Sequence, residues 1–107
     1  MEILINAQTD AATSGEFIVK ESKYATLIAN GLSSGEVVTL QIAYLNDTYT
    51  DAYNPSTNSL FELGSQSNVL PIIIPGIYRV YKTATTNAVT VSIYWSFGPG
   101  IFIAGGI

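Results

Sequence analysis

The sequence predicts an all-β protein, an antiparallel β-sandwich of jelly-roll type with about eight strands. Three observations carry that expectation. Period-two alternation of apolar and polar residues recurs along the chain, whereas the 3.6-residue period of an amphipathic helix is missing. Turn-forming clusters of Gly, Pro, Asn, Asp and Ser recur about every 8–12 residues, the spacing of a sandwich or barrel. The connections are too short for crossover helices, so neighbouring strands run antiparallel. A closed small barrel would satisfy the same pattern and is the rival architecture.

The elements follow in order. A short first strand is expected over residues 3–6, then the polar linker "AQTDAATSG". Residues 16–20 and 24–30 form the next two, split by "ESK". "NGLSSG" turns the chain into "EVVTLQIAYL", the clearest half-buried strand. Val38, Leu40, Ile42 and Tyr44 alternate there with Thr39, Gln41 and Ala43. "NDTYTDAYNPSTN" is rich in turn residues and holds at most a short strand over residues 49–53. Residues 60–63 form another brief strand, "GSQSN" a loop, and residues 69–74 a strand that meets Pro75-Gly76. Pro at the first central position and Gly at the second predict a type II turn, which needs φ > 0 at the glycine. Beyond it, Ile77, Arg79, Tyr81 and Thr83 alternate with Tyr78, Val80 and Lys82. In the last strong strand, "AVTVSIYWSF", Val89, Val91, Ile93 and Trp95 share a face. The expected core is Val38, Leu40, Ile42, Val80, Val89, Val91, Ile93 and Trp95.

Composition narrows the chemistry. With 107 residues the chain is expected to form one domain. It contains no Cys and no His, so the sequence offers no disulfide, no thiolate–zinc site and no Ser-His or Cys-His nucleophile. Four basic residues (Lys20, Lys23, Arg79, Lys82) stand against eight acidic ones, for a net charge of −4. Clustered Lys and Arg that would neutralise phosphate are lacking, so nucleic acid is not an expected partner. Charged residues make up 11% of the chain, less than half the usual figure of about 25%. Uncharged polar surfaces desolvate more cheaply than charged ones and suit extensive protein contacts. "MEILINAQTD" has no basic n-region and no long apolar stretch, and no window reaches the roughly 18 apolar residues of a membrane span. Synthesis in the cytoplasm, with no membrane partner, is the expectation.

Candidate sites are few. Asp47 and Asp51, with Glu62 near them across a hairpin, form the sole acidic cluster. Their spacing fits neither a glycosidase pair nor a calcium loop. Asp47 is therefore expected to cap a turn and Asp51 to be solvated. No enzyme activity, bound metal or cofactor is expected. Seven tyrosines and a tryptophan would suit stacking on sugar rings, and Tyr49 and Tyr53 in the polar loop are the candidate glycan contacts. Arg79 invites two readings: a cation–π contact with a tyrosine, or, with Tyr81, an interface anchor.

"ANGLSSGEVVTLQIAYLNDTYTDAY" and "PGIYRVYKTATTNAVTVSIYW" together resemble small virion structural proteins of tailed bacteriophages. The shared pattern is a Gly-rich turn, "GE-x-VTLQ", a polar loop of the "DG-x-TWTD" kind, "G-x-YRV-x-K" and a valine-rich strand. It covers residues 29–95. Here "NDTYTD" stands in place of "DG-x-TWTD", so the tip of that hairpin is expected to differ. The resemblance implies a β-sandwich used in many copies on a particle, as a capsid decoration (cement) protein, with a neck, collar or tail accessory as the alternative. Its partners would be copies of itself and the major capsid or neck proteins, and its location the virion. It supplies no catalytic or ligand residue. A glycan-binding module is the reading from a different class.

The division expected from sequence is a sandwich domain over residues 1–96 and an apolar C-terminal arm over residues 97–107. "FGPGIFIAGGI" carries no charge, and Ile101, Phe102, Ile103 and Ile107 are expected to bind in an assembly interface.

Overall fold

The computed structural model describes residues 1–54 and 56–97. The expected arm therefore lies, apart from Phe97, outside the described residues, and with it Ile101, Phe102, Ile103 and Ile107. Twelve strands and no helix occupy the described residues. They are β1 (Glu2–Gln8), β2 (Ala12–Thr13), β3 (Phe17–Val19), β4 (Lys23–Asn30), β5 (Val37–Leu45) and β6 (Thr48–Asp51), then β7 (Tyr53–Asn54), β8 (Ser59–Leu60), β9 (Glu62–Gly64), β10 (Val69–Ile72), β11 (Gly76–Lys82) and β12 (Val89–Phe97).

Two antiparallel sheets pack face to face, as expected for a sandwich. One sheet, here called A, has the order β1-β12-β4-β10. The other, sheet B, has the order β2-β11-β5-β6, with β3 also on β11 and β9 also on β5. The pairings are nested along the chain: β5 with β6, β4 with β10, β2 and β3 with β11, β1 with β12. The excess over eight strands has two sources. β2 and β3 are one strand interrupted at Ser14, which spans the gap by donating its N–H to the Val80 carbonyl and accepting the Val80 N–H on Oγ. β7, β8 and β9 are short pieces within the long connection from β6 to β10.

Alternation places the core where the sequence predicts it. Val38, Leu40, Val80, Val89, Val91 and Ile93 are fully buried, while Ile42 and Trp95 are half-buried and pack against the same cluster. Leu27 and Ala25 of β4, Leu63 of β9 and Phe17 and Val19 of β3 belong to it as well, with Ile5, Ala29, Ala52, Ile72 and Tyr78. Full burial of a Val or Ile side chain contributes about 1.5–3 kcal/mol, so this single layer dominates stability. Tyr44 departs from the expected stripe. β5 has an irregularity between Ala43 and Leu45, leaving Tyr44 unpaired and 61% exposed beyond the end of the core.

The turn at Pro75-Gly76 is corrected. Gly76 does not have a positive φ; among the described glycines Gly31 and Gly35 do. β10 pairs with β4 in sheet A while Gly76 opens β11 opposite Val19 in sheet B, so the chain crosses between sheets instead of folding into a hairpin. A Cβ at Gly76 would lie 3.1 Å from Ile42 Cδ1 and 3.3 Å from the Tyr78 ring. What distinguishes the position is this close approach and not turn geometry. In "NGLSSG" the expected turn is present, and at Gly31 (φ +107°) an added Cβ would meet the Ala88 carbonyl oxygen.

One end of the sandwich is tied by charge. Lys82 continues the inward stripe of Tyr78 and Val80 and is 1% exposed. Its Nζ donates to the carbonyls of Asp10 (2.7 Å) and Thr83 (3.0 Å) and to Thr85 Oγ1 (3.1 Å), which matches the three donors of an ammonium. Nearby, the Glu36 carboxylate accepts the Ser33 and Thr86 N–H groups, both at 2.8 Å. These bonds hold its pKa below the ordinary glutamate value.

Candidate functional site

The outer faces of the two sheets differ in kind. On sheet B, the register sets Arg79 of β11 beside Gln41 of β5 and Gln41 beside Asp51 of β6. Arg79 Nε donates to Gln41 Oε1 (2.8 Å), and Gln41 Nε2 donates to Asp51 Oδ1 (3.0 Å). The guanidinium lies over the Tyr49 ring, 4.0 Å from its centroid, and the Tyr49 hydroxyl donates to the Glu16 carboxylate. That bond to an anion raises the Tyr49 pKa, with partial burial adding to it. Glu16, Tyr49, Arg79, Gln41 and Asp51 are thus one continuous network across β11, β5 and β6, with Glu16 joining it from the segment before β3.

The network decides how several sequence candidates are used. Of the two expectations for Arg79, the tyrosine contact is the one observed, and its partner is Tyr49. Stacked under Arg79 and tethered to Glu16, Tyr49 has a ring face already committed. Tyr53 lies on the separate β7–β8 ribbon opposite Leu60, is 58% exposed, and does not join the network. Tyr81 is outward on β11, paired with Thr39 and Thr13. The acidic cluster is not assembled. Asp47 sits at the β5–β6 tip with φ +56°, a left-handed conformation that Asp tolerates, Asp51 holds Gln41, and Glu62 lies opposite Thr39. Among the described residues no group of three or more Asp, Glu, His or Cys could hold a metal ion.

Sheet A presents the opposite surface. Across it, Ile3, Ser92, Ile28 and Val69 form one outward row, and Tyr94, Thr26 and Pro71 form the next. Ser96 with Tyr24, and Thr90 with Asn30, extend the face along β12 and β4. None of these side chains is charged. The two charged residues on sheet A strands, Glu2 and Lys23, both turn to Trp95. Its Nε1 donates to Glu2 Oε1 (3.1 Å), and Lys23 Nζ sits 5.0 Å from the ring centroid. Ile3, Val69 and Tyr94 are each 44–53% exposed, so the face combines apolar area with hydroxyls that desolvate cheaply.

A third feature lies at the free edge of β10. Leu70, Ile72, Ile73 and Ile74, with Phe61 and Tyr78, line an apolar cleft of about 510 Å³. The Tyr78 hydroxyl donates to the Ile74 carbonyl (2.7 Å) and so fixes the crossover that forms one wall. Burial raises the Tyr78 pKa.

Sequence reasoning missed the charge-free face, the cleft and the buried Lys82. The first has no local signature, because only the pairing register brings its residues onto one face. Searches against protein-family models, curated proteins and solved structures returned no match for this chain.

Proposed function

We propose that the chain is a non-enzymatic structural protein of a tailed-phage virion, a capsid decoration protein whose sheet A outer face lies on the shell. The observation that carries this reading is the four-stranded face without a charged side chain, on a protein whose net charge is −4. The charged side chains lie elsewhere; at this face a neighbour can exclude water without stripping a charge. Nested strand pairing supports jelly-roll winding, since a long hairpin ribbon rolled on itself gives those pairs. Viral shells and lectins both use that winding, so the fold alone does not choose a function. The committed ring of Tyr49 removes one of the two tyrosines on which the glycan reading relies.

The mechanism is mechanical. Many copies bury surface across neighbouring shell subunits and oppose outward pressure. Quantitative mass spectrometry of purified particles tests the reading. Hundreds of copies per particle support decoration, a dozen or so would place the chain at the neck or tail instead, and absence from the particle would refute a virion role.

A further inference from the structure

We propose that Asn30 is a site of spontaneous covalent modification, where the Gly31 nitrogen closes on the asparagine side chain and water opens the ring to aspartate or isoaspartate. Of the seven asparagines in the chain, Asn30 alone precedes glycine. At the others the next residue is Ala, Asp, Pro, Ser or Val. A side chain there crowds the approach of the amide nitrogen to the asparagine carboxamide, and proline has no N–H to lose. Glycine, without a Cβ, leaves the approach open.

The fold supplies the rest of the site. Gly31 has φ +107°, and an added Cβ would collide with the Ala88 carbonyl oxygen, so the turn requires glycine at this position. Asn30 is the last residue of β4; it pairs with Thr90, and the chain leaves the sheet directly after it. Its side chain is exposed. Among the described residues, neither the Asn30 carboxamide nor the Gly31 N–H has a hydrogen-bond partner. Asn54 and Asn87 differ: the first accepts the Ser56 N–H on Oδ1 (2.9 Å), and the second donates from Nδ2 to Ser33 Oγ (3.3 Å). At Asn30 the nucleophile and the electrophile are both unengaged and sit in adjacent residues, which makes the attack intramolecular.

The reaction needs no reactant besides water. The Gly31 nitrogen gives its proton to solvent and attacks Asn30 Cγ; the adduct expels the side-chain nitrogen as ammonia and leaves a cyclic imide. Water then adds to one of the two imide carbonyls. Breaking the bond from nitrogen to Cγ gives aspartate. Breaking the bond from nitrogen to the backbone carbonyl carbon gives isoaspartate, whose main chain runs through Cβ. Either product adds one negative charge. It appears on the outward side of β4, where Asn30 follows Tyr24, Thr26 and Ile28 and extends the charge-free face with Thr90. If that face lies on the shell, as the virion reading has it, conversion turns a contact surface into one that must bury a charge. Unassembled copies then lose their binding competence with age.

The test holds the purified full chain in warm, mildly alkaline buffer and follows each asparagine by peptide mapping and mass spectrometry. An isoaspartate-specific methyltransferase labels the rearranged product. Asn30 should convert several times faster than any other asparagine, with release of ammonia and a shift to an acidic species on ion exchange. Asn30→Gln, whose side chain would have to close a larger ring, should form no such species over the same period. Conversion at Asn30 no faster than at the other asparagines would overturn the site. So would an Asn30→Gln chain that ages into the same acidic species as wild type. Asn30→Asp, shown to be folded by circular dichroism, reads the consequence separately: roughly tenfold weaker co-sedimentation with undecorated particles is expected, because the new charge is desolvated without a partner. Asn30→Asp pelleting as well as wild type would overturn the loss of competence. The chemistry is read on the isolated chain and the virion reading on particles, so the two fail separately.

Discussion

The two outer faces of one sandwich are built from the same period-two strands, yet they spend their polar residues differently. Sheet B joins Glu16, Tyr49, Arg79, Gln41 and Asp51 into a network, so these polar groups are hydrogen-bonded or stacked within the molecule. Sheet A sets Ser, Thr, Tyr and Ile side by side and turns Glu2 and Lys23 to Trp95. A charge already paired makes a surface self-sufficient. A face without charges makes one that loses little when water is excluded. The difference separates a face that holds the monomer together from one suited to contact.

The comparison can be broken most completely from inside. Val91 is fully buried beneath sheet A, and Val91→Asp would place an unpaired carboxylate there, with both faces lost as the sandwich unfolds. Loss of the cooperative thermal transition is the expected result, checked by circular dichroism.

Lys82 asks whether sheet B also relies on a hydrogen-bonded charge in its interior. Lys82→Met fills the volume but removes the three hydrogen bonds of the ammonium; their acceptors are on exposed or half-exposed residues that water can reach, so the net loss is about 1–3 kcal/mol in all. Denaturant titration should show a lower midpoint with an unchanged slope.

On the outer face of sheet B the effect is smaller. Arg79→Met removes the contact over Tyr49 and the bond to Gln41, with an expected loss of about 0.5–1 kcal/mol. Differential scanning calorimetry would register this as a drop of a few degrees in Tm. Tyr49→Phe keeps the ring under Arg79 and drops only the Glu16 bond, so it should fall between wild type and Arg79→Met.

The smallest effect is a pH dependence belonging to neither face. The Glu36 pKa is lowered on folding, so its stabilisation is fully present above the ordinary glutamate range and is lost as pH falls through the lower folded value. Glu36→Gln should therefore narrow the gap between Tm at neutral pH and Tm in acid. Parallel melts across that range check it; an unchanged gap would show that the carboxylate is not held by Ser33 and Thr86 in solution.

Much of the fold was legible because alternation on strands is a local signal. Val38 and Leu40, and Val89, Val91 and Ile93, share faces for the same reason that they share burial. What escaped was set by partners remote in sequence. Pro75-Gly76 has the local chemistry of a type II turn, but β10 and β11 have partners in different sheets, and those pairings stretch the junction into a crossover. Lys82 reads as a surface residue until Asp10, 72 positions away, brings a carbonyl to its ammonium. Arg79 had two readings until the β11–β5–β6 register placed Tyr49 beneath it. The charge-free face had no sequence signature of its own, because Ile3, Ser92, Ile28 and Val69 come from four strands spread over the chain.

Co-sedimentation with undecorated particles tests the central claim most directly, with wild type, Ser92→Lys and Arg79→Met compared in parallel. Ser92 lies in the middle of the sheet A row, where a lysine can extend into water in the free protein but would be left unpaired against a shell. An uncompensated charge buried in an interface costs about 3–5 kcal/mol, so at least about a hundredfold loss of affinity is expected. The account predicts that wild type and Arg79→Met pellet with the particles while folded Ser92→Lys stays in the supernatant. Ser92→Lys pelleting as well as wild type, or wild type failing to pellet, would contradict it.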